Sequence, residues 1–186
     1  YVSWGSGIYD FDNDGLLDIL IFHGGLIHMI PQEHSLFRGL GKGKFADVSR
    51  EAGPVFDAKT VARGACFADY DNDGKVDAFV VNLGAPGMLL HNVTANGNHW
   101  IAVKLKGTKS NRDGIGAAVE IAAGGHVQTA VRVAGSGYLS QDDGRLHFGL
   151  GQASKIDKLT IRWPSGHTQT LENVAVDRVL TVEEPQ

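Results

Sequence analysis

Apolar residues run through this chain of 186 residues in two rhythms. In the first half they come as short, nearly unbroken blocks, ILIF at 19–22 and AFVV at 78–81. Blocks of that length between turn residues predict strands covered on both faces. In the second half apolar and polar positions alternate, as with Ile101, Val103 and Leu105 against Ala102, Lys104 and Lys106. Alternation predicts half-buried antiparallel strands, here over 101–106, 117–123, 126–133, 145–150, 158–163, 167–171 and 178–183. The turn signals NRDGIG, AGGH, DDGR and PSGH separate them, and no helical period emerges. Such a series of short strands predicts a β-sandwich or small barrel over residues 96–186.

The first half also repeats itself. YDFDNDGLLDI at 9–19 returns as ADYDNDGKVDA at 68–78, an offset of 59 residues. After the first copy come SLFRG and GLGKGKFADVS, which read as strand, glycine turn and strand; after the second comes MLLHN, a partial counterpart of SLFRG. The unit is thus a small antiparallel sheet of about four strands with an acidic loop at one hairpin. Repeats of this period form stacked or radial arrays, and a propeller closes with about 4–8 blades. One full unit and part of a second predict the last blades of a propeller within residues 1–95, the chain being the C-terminal part of a longer protein. A small β domain with two duplicated hairpins remains the alternative at this point.

Charge follows the same division. Residues 1–96 hold 7 Lys/Arg and 12 Asp/Glu, and eight of those twelve acids lie in the two repeated loops; residues 97–186 hold 10 and 9. Two bound divalent ions would bring the first part from −5 to −1. No basic stripe invites nucleic acid, and no apolar run reaches the roughly 20 residues that cross a bilayer, so neither nucleic acid nor membrane insertion is expected. The composition, 42% hydrophobic with 25 glycines and 5 prolines, suits an ordered, turn-rich fold. The lone Cys66 cannot form an internal disulfide and reads as a small core hydrophobe.

Numbered from its first aspartate, each loop has carboxylates at positions 1, 3, 5 and 9 and glycine at 6: Asp10, Asp12, Asp14 and Asp18 with Gly15, then Asp69, Asp71, Asp73 and Asp77 with Gly74. Alternate residues of a tight turn point to one centre, and position 7, Leu16 or Lys75, can add a backbone carbonyl. That supplies about five or six oxygens to a hard cation, favouring calcium over the stricter octahedron of magnesium. Zinc and copper would require His or Cys, which the loops lack. An EF-hand is excluded because position 12 is Ile21 or Val80 rather than Glu, and because the flanks read as strands. About two structural Ca2+ ions are expected, each linking groups that would otherwise splay by repulsion.

DFDNDGLLD and DYDNDGKVD resemble the calcium loops of FG-GAP/VCBS-type repeats, the blades of integrin-like β-propellers, and GLGKGKFADVSREAG is similar to another segment of that family. The resemblance covers residues 1–95 and implies the eight loop aspartates as calcium ligands. From Asn96 on, NHWIAVKLKGTKSNRDGIGAAVEI, GSGYLSQ, LHFGLG and IRWPSG resemble the ASPIC/UnbV domain, which follows FG-GAP repeats in the cartilage acidic protein group. The resemblance implies a secreted or envelope-associated protein, extracellular or periplasmic.

Signals for catalysis are weak. GLGKGK leads into a strand and is not a phosphate loop, so it reads as a hairpin turn. Gly135-Ser136-Gly137 lacks the nucleophile elbow. The eight histidines are dispersed. Asp142 and Asp143 beside Tyr138 read as a turn with solvated acids, with sugar binding as the lesser reading. Trp4, Trp100 and Trp163 read as core or strand-end aromatics, and Asn92-Val93-Thr94 is a glycosylation sequon. The expected protein is all-β and non-enzymatic: partial propeller, then sandwich, serving as a calcium-stabilised interaction or adhesion scaffold. Its partner would be a protein or a matrix or envelope component. A carbohydrate-binding module and an accessory subunit of an envelope complex are the alternatives.

Overall fold

The computed structural model describes residues 1–186 and is all-β apart from a single 3-10 turn at Pro54–Phe56. Two compact units emerge, one formed by residues 1–11, 16–94 and 135–142, the other by 12–15, 95–134 and 143–186.

The first unit holds two antiparallel meanders. One sheet runs in the order β1 (Ser3–Tyr9), β2 (Asp18–His23), β3 (Ser35–Gly39), β4 (Phe45–Asp47); the other runs β5 (Ala62–Ala68), β6 (Asp77–Asn82), β7 (Met88–Leu90). The sequence offset is reproduced in the strands: β1 and β5, and β2 and β6, start and stop 59 residues apart. A shared core of Phe11, Leu20, Phe22, Ala62, Ala65, Phe67, Ala78 and Val80 joins the two sheets, and neither sheet closes on itself. Phe67 is its centre, within ring-contact distance of Tyr9, Phe11 and Phe22. β1 makes room for that ring with glycine, since a Cβ on Gly7 would lie 2.6 Å from it. The GLGKGK segment is the expected hairpin turn: Leu40 N donates to Lys44 O and Lys44 N to Gly41 O.

Three expectations are corrected in this unit. β6 is covered on one face only, because no sheet lies over Phe79 and Val81. Cys66, on that same open face, is half-buried rather than core. Asp142 is no solvated turn residue: its carboxylate accepts the backbone N–H of Phe67 (2.9 Å) and the hydroxyl of Tyr9 (2.7 Å). The segment 135–142 thereby caps a backbone donor of β5, a strand edge that would otherwise invite pairing.

The second unit pairs a sheet β10 (His126–Val131), β9 (Ala118–Ala123), β12 (Lys155–Arg162), β13 (Thr168–Ala175) with a sheet β11 (Leu146–Gly151), β8 (His99–Lys106), β14 (Arg178–Glu183). The alternating residues Ile101, Val103 and Leu105 of β8 meet Val119 and Ile121 of β9 and Leu159 and Ile161 of β12, with Trp163 buried beside them. Two sheets sharing one apolar layer make the expected sandwich. The strands were expected to be antiparallel, but β14 runs parallel to β8. β13 belongs to the opposite sheet, so the chain changes sheets before β14 instead of making a hairpin. The end of β14 is fixed by Glu184, a buried carboxylate that accepts three successive backbone N–H groups, those of Thr108, Lys109 and Ser110, and the hydroxyls of Ser110 and Ser165. Burial pushes this carboxyl up, and the donors more than offset it, holding its pKa at about 2.

Candidate metal centre

Each acidic loop leaves one strand and enters the next through the same backbone path. Asn13 and Gly15 have φ of 58° and 93°; Asn72 and Gly74, at the same repeat positions, have 63° and 89°. Asparagine is among the few residues with side chains that enter the left-handed region readily, so Asp-Asn-Asp-Gly turns sharply twice. Position 4 therefore shapes the loop as much as the glycine at position 6 does, a signal already present in the repeated DND.

The turn brings carboxylates together. One oxygen from each of Asp10, Asp12 and Asp18 lies within 4.8 Å of the others, and so does one from each of Asp69, Asp71 and Asp77. Positions 1, 3 and 9 therefore converge in both loops, without position 5, which the spacing places with them. Positions 1 and 9 are buried in both, and position 3 is the more open.

Backbone donors set these side chains. Asp69 accepts the N–H groups of Asp73 (3.0 Å) and Gly74 (3.1 Å). Asp77 accepts those of Tyr70 (3.2 Å) and Asn92 (2.8 Å), tying the loop to the chain beyond β7. Asp18 does the same in the first repeat with Phe11 (2.9 Å) and Gly39 (2.7 Å). Asn92 completes the second loop by donating its side-chain amide to Phe11 O (2.7 Å) and Val76 O (3.2 Å). The sequon's nitrogen is thus committed to holding the fold, which sequence alone did not reveal.

Position 5 behaves differently. Asp73 stands outside the convergent triad and pairs with Lys75, whose Nζ donates at 2.6 Å. It belongs instead to a second group with Asp71 and His91, where His91 Nε2 lies 3.1 Å from Asp71 and 4.0 Å from Asp73. His91, in MLLHN just after β7, was missed because nothing in its own neighbourhood links it to a loop far upstream. Asp14 likewise is not among the converging set of the first loop. Leu16 and Lys75 follow the left-handed glycines directly, at the exit of each turn.

The electrostatics suit a cation. Burial pushes the Asp77 carboxyl up, and the N–H groups of Asn92 and Tyr70 only partly offset it. Burial also acts on Asp73, but hydrogen bonds and charge from Lys75 hold it below the ordinary carboxylate range. Lys75, the cationic side chain this loop carries, is engaged by Asp73 rather than by the triad. Three carboxylates this close, two of them buried, with all-oxygen donors in a fixed turn, fit a hard divalent ion.

The other sequence signals settle into structural places. Ser136 accepts the N–H of Asp142, and Asp143 pairs with Arg145. Trp4 sits edge-on to Tyr138, with the Arg63 guanidinium 4.4 Å from its ring centre. No helix is long and apolar enough to cross a membrane.

Two family models match separate stretches of the chain. Residues 10–80 match the FG-GAP-like repeat family, and residues 107–186 match the family described as ASPIC and UnbV. Cartilage acidic protein 1 of Xenopus tropicalis is 27% identical over 187 residues, covering 95% of this chain and 28% of that protein. The Mus musculus protein of that name is 24% identical over the same shares, and the Homo sapiens protein is 26% identical over 84% of this chain and 24% of its own length. The chain thus spans about a quarter of the length of these relatives.

Proposed function

We propose, for a chain that pairs an FG-GAP-like repeat segment with an ASPIC/UnbV segment, that it is a non-enzymatic interaction module of the extracellular matrix or cell envelope, held rigid by calcium. The observation that carries this reading is the coincidence of the two loops. Two turns 59 residues apart share strand limits, left-handed residues and a three-carboxylate convergence. Asp10, Asp12 and Asp18, and Asp69, Asp71 and Asp77, are the side-chain ligands. Asp14 and Asp73 at position 5 serve directly or through water, and the carbonyls of Leu16 and Lys75 complete the set. The ion's work is to cancel repulsion in a hairpin and cross-link it, so that binding energy becomes folding energy.

Adhesion fits this architecture because rigid meander sheets present their connecting loops to a partner, and the partner class is a matrix or envelope protein. The test is binding of the chain to immobilised matrix proteins in millimolar calcium and again after chelation. Retention in calcium that is lost on chelation is expected. Absence of binding in both conditions, or binding indifferent to chelation, would overturn the reading.

A further inference from the structure

A cavity of about 310 Å3 lies inside the first unit, between the inner faces of its two sheets. Leu20 and Leu36, a cross-strand pair of β2 and β3, line it from the first repeat. Ala78 and Leu90, the corresponding kind of pair on β6 and β7, line it from the second. The outward faces of the sheets, with Ile8 and Phe79, take no part in it. Its exposed lining residues, Glu51, Ala52, His91 and Val93, mark the mouth. Protein interiors pack nearly as densely as organic crystals, so a gap floored by the buried Leu20, Phe56, Val76 and Ala78 forfeits contacts on every wall. Apolar walls, a few polar groups at the mouth and a volume from about 300 Å3 upward are the features of a binding pocket.

The pocket is held in shape by its own rim. The Asn92 amide donates to the carbonyls of Phe11 in the first repeat and Val76 in the second, and all three residues line the cavity. That staple fixes the separation of the walls before anything binds, which lowers the cost of binding. The charged groups of the lining favour one sign: it includes Glu51 and Asp77 and no lysine or arginine. Asp77 is turned to the backbone N–H groups of Tyr70 and Asn92, and His91 to Asp71. Glu51 is therefore the charge that an occupant meets. Val93, exposed beside the mouth, extends the apolar surface outward, where only an occupant larger than the cavity can cover it.

We propose that this cavity receives an aromatic side chain of a partner protein, with a basic residue beside it in the partner's sequence meeting Glu51. A ring entering an apolar pocket is the usual anchor of a protein interface, and the surface around it excludes water. The basic neighbour adds charge complementarity at the rim and selects against acidic sequences. The proposal rests on the reading of the chain as an interaction module, and the two fail separately. Retention on matrix proteins without any peptide in this pocket would strike the pocket alone.

Titration of the isotope-labelled whole chain in calcium with acetyl-Lys-Trp-Lys-amide, followed by two-dimensional NMR, tests this. The backbone amides of Leu20, Leu36, Ala78 and Leu90 are expected to shift together and saturate. Alanine in place of the peptide's tryptophan should abolish the shifts, and acetyl-Glu-Trp-Glu-amide should bind several-fold more weakly. Glu51→Gln should remove that preference. Ala52→Trp, at an exposed position, should block the mouth and abolish the shifts while the rest of the spectrum stays as in the wild type. No shift at those four amides at millimolar peptide, equal response to the alanine peptide, or no preference between the basic and acidic peptides would overturn the proposal. So would unchanged binding in Ala52→Trp, and so would free indole binding as tightly as the basic peptide, which would make the occupant a small molecule.

Discussion

Replacing Asp71 with alanine should have opposite effects in the presence and absence of calcium. Asp71 is the exposed member of the Asp69–Asp71–Asp77 triad, in which the oxygens lie within 4.8 Å of one another. At that separation two unit negative charges repel by about 1 kcal/mol in water-like surroundings and about 3 kcal/mol at an effective dielectric constant near 20. Asp71→Ala removes two of the three repulsive pairs. It also loses a long hydrogen bond from Asp73 N, at 3.3 Å, and the contact with His91. Those losses, at about 1 kcal/mol together, are smaller than the repulsion relieved. In chelator the variant should therefore melt at or slightly above the wild-type temperature. In calcium at about 100 times the dissociation constant, one intact site contributes about 2.7 kcal/mol, equivalent to about 5–10 °C for a chain of this size. The variant should lose that increment and melt below wild type, while the first loop still responds. Thermal melts by circular dichroism in calcium and in chelator are sufficient. Equal destabilisation in both solutions, or no change in either, would refute the charge-relief reasoning.

Other perturbations test the scaffold. Phe67→Ala empties the centre of the aromatic cluster and should cost about 3–5 kcal/mol, read as a fall in the denaturation midpoint; a loss below about 1 kcal/mol would show that the ring is not central. Asp142→Ala strands the N–H of Phe67 and the hydroxyl of Tyr9 and should cost about 1–3 kcal/mol in the same measurement, an effect a solvated turn acid would not produce. Stability should also fall on acidification in two stages. Burial lowers His34 and His147 from 6.5 to about 4, so both fold in the neutral form, and their contribution is complete above pH 6.5 and lost between there and about pH 4. Glu184, lowered from 4.5 to about 2, contributes above pH 4.5 and is lost below it. A melting temperature flat from pH 7 to 4 would contradict the burial of the histidines.

The loops and the sandwich strands were legible because each rests on a short-range rule. Asp-x-Asp-Asn-Asp-Gly places carboxylates by turn geometry, and Ile101-Ala-Val-Lys-Leu alternates by the pleat. What escaped depends on contacts distant in sequence. Asp73 turns to Lys75 and His91, and the His91 part of that arrangement needs the whole hairpin to form. Asp142 reads as a solvated acid in a polar stretch, yet it accepts a backbone N–H and a hydroxyl distant in sequence, and Glu184, which no local signal singles out, accepts three backbone N–H groups more than 70 residues away. The parallel pairing of β14 follows from a change of sheet after β13, which no local pattern encodes. The open face of β6 escaped for a related reason: an apolar run reports that a strand can be covered twice, not that both covers are present.

The most direct measurement is equilibrium dialysis of the chelator-stripped chain against radioactive calcium. Two ions bound per chain, falling to one in Asp71→Ala and to one in Asp12→Ala, is the predicted result. A wild-type chain that retains no calcium at millimolar concentration would contradict the account at its base.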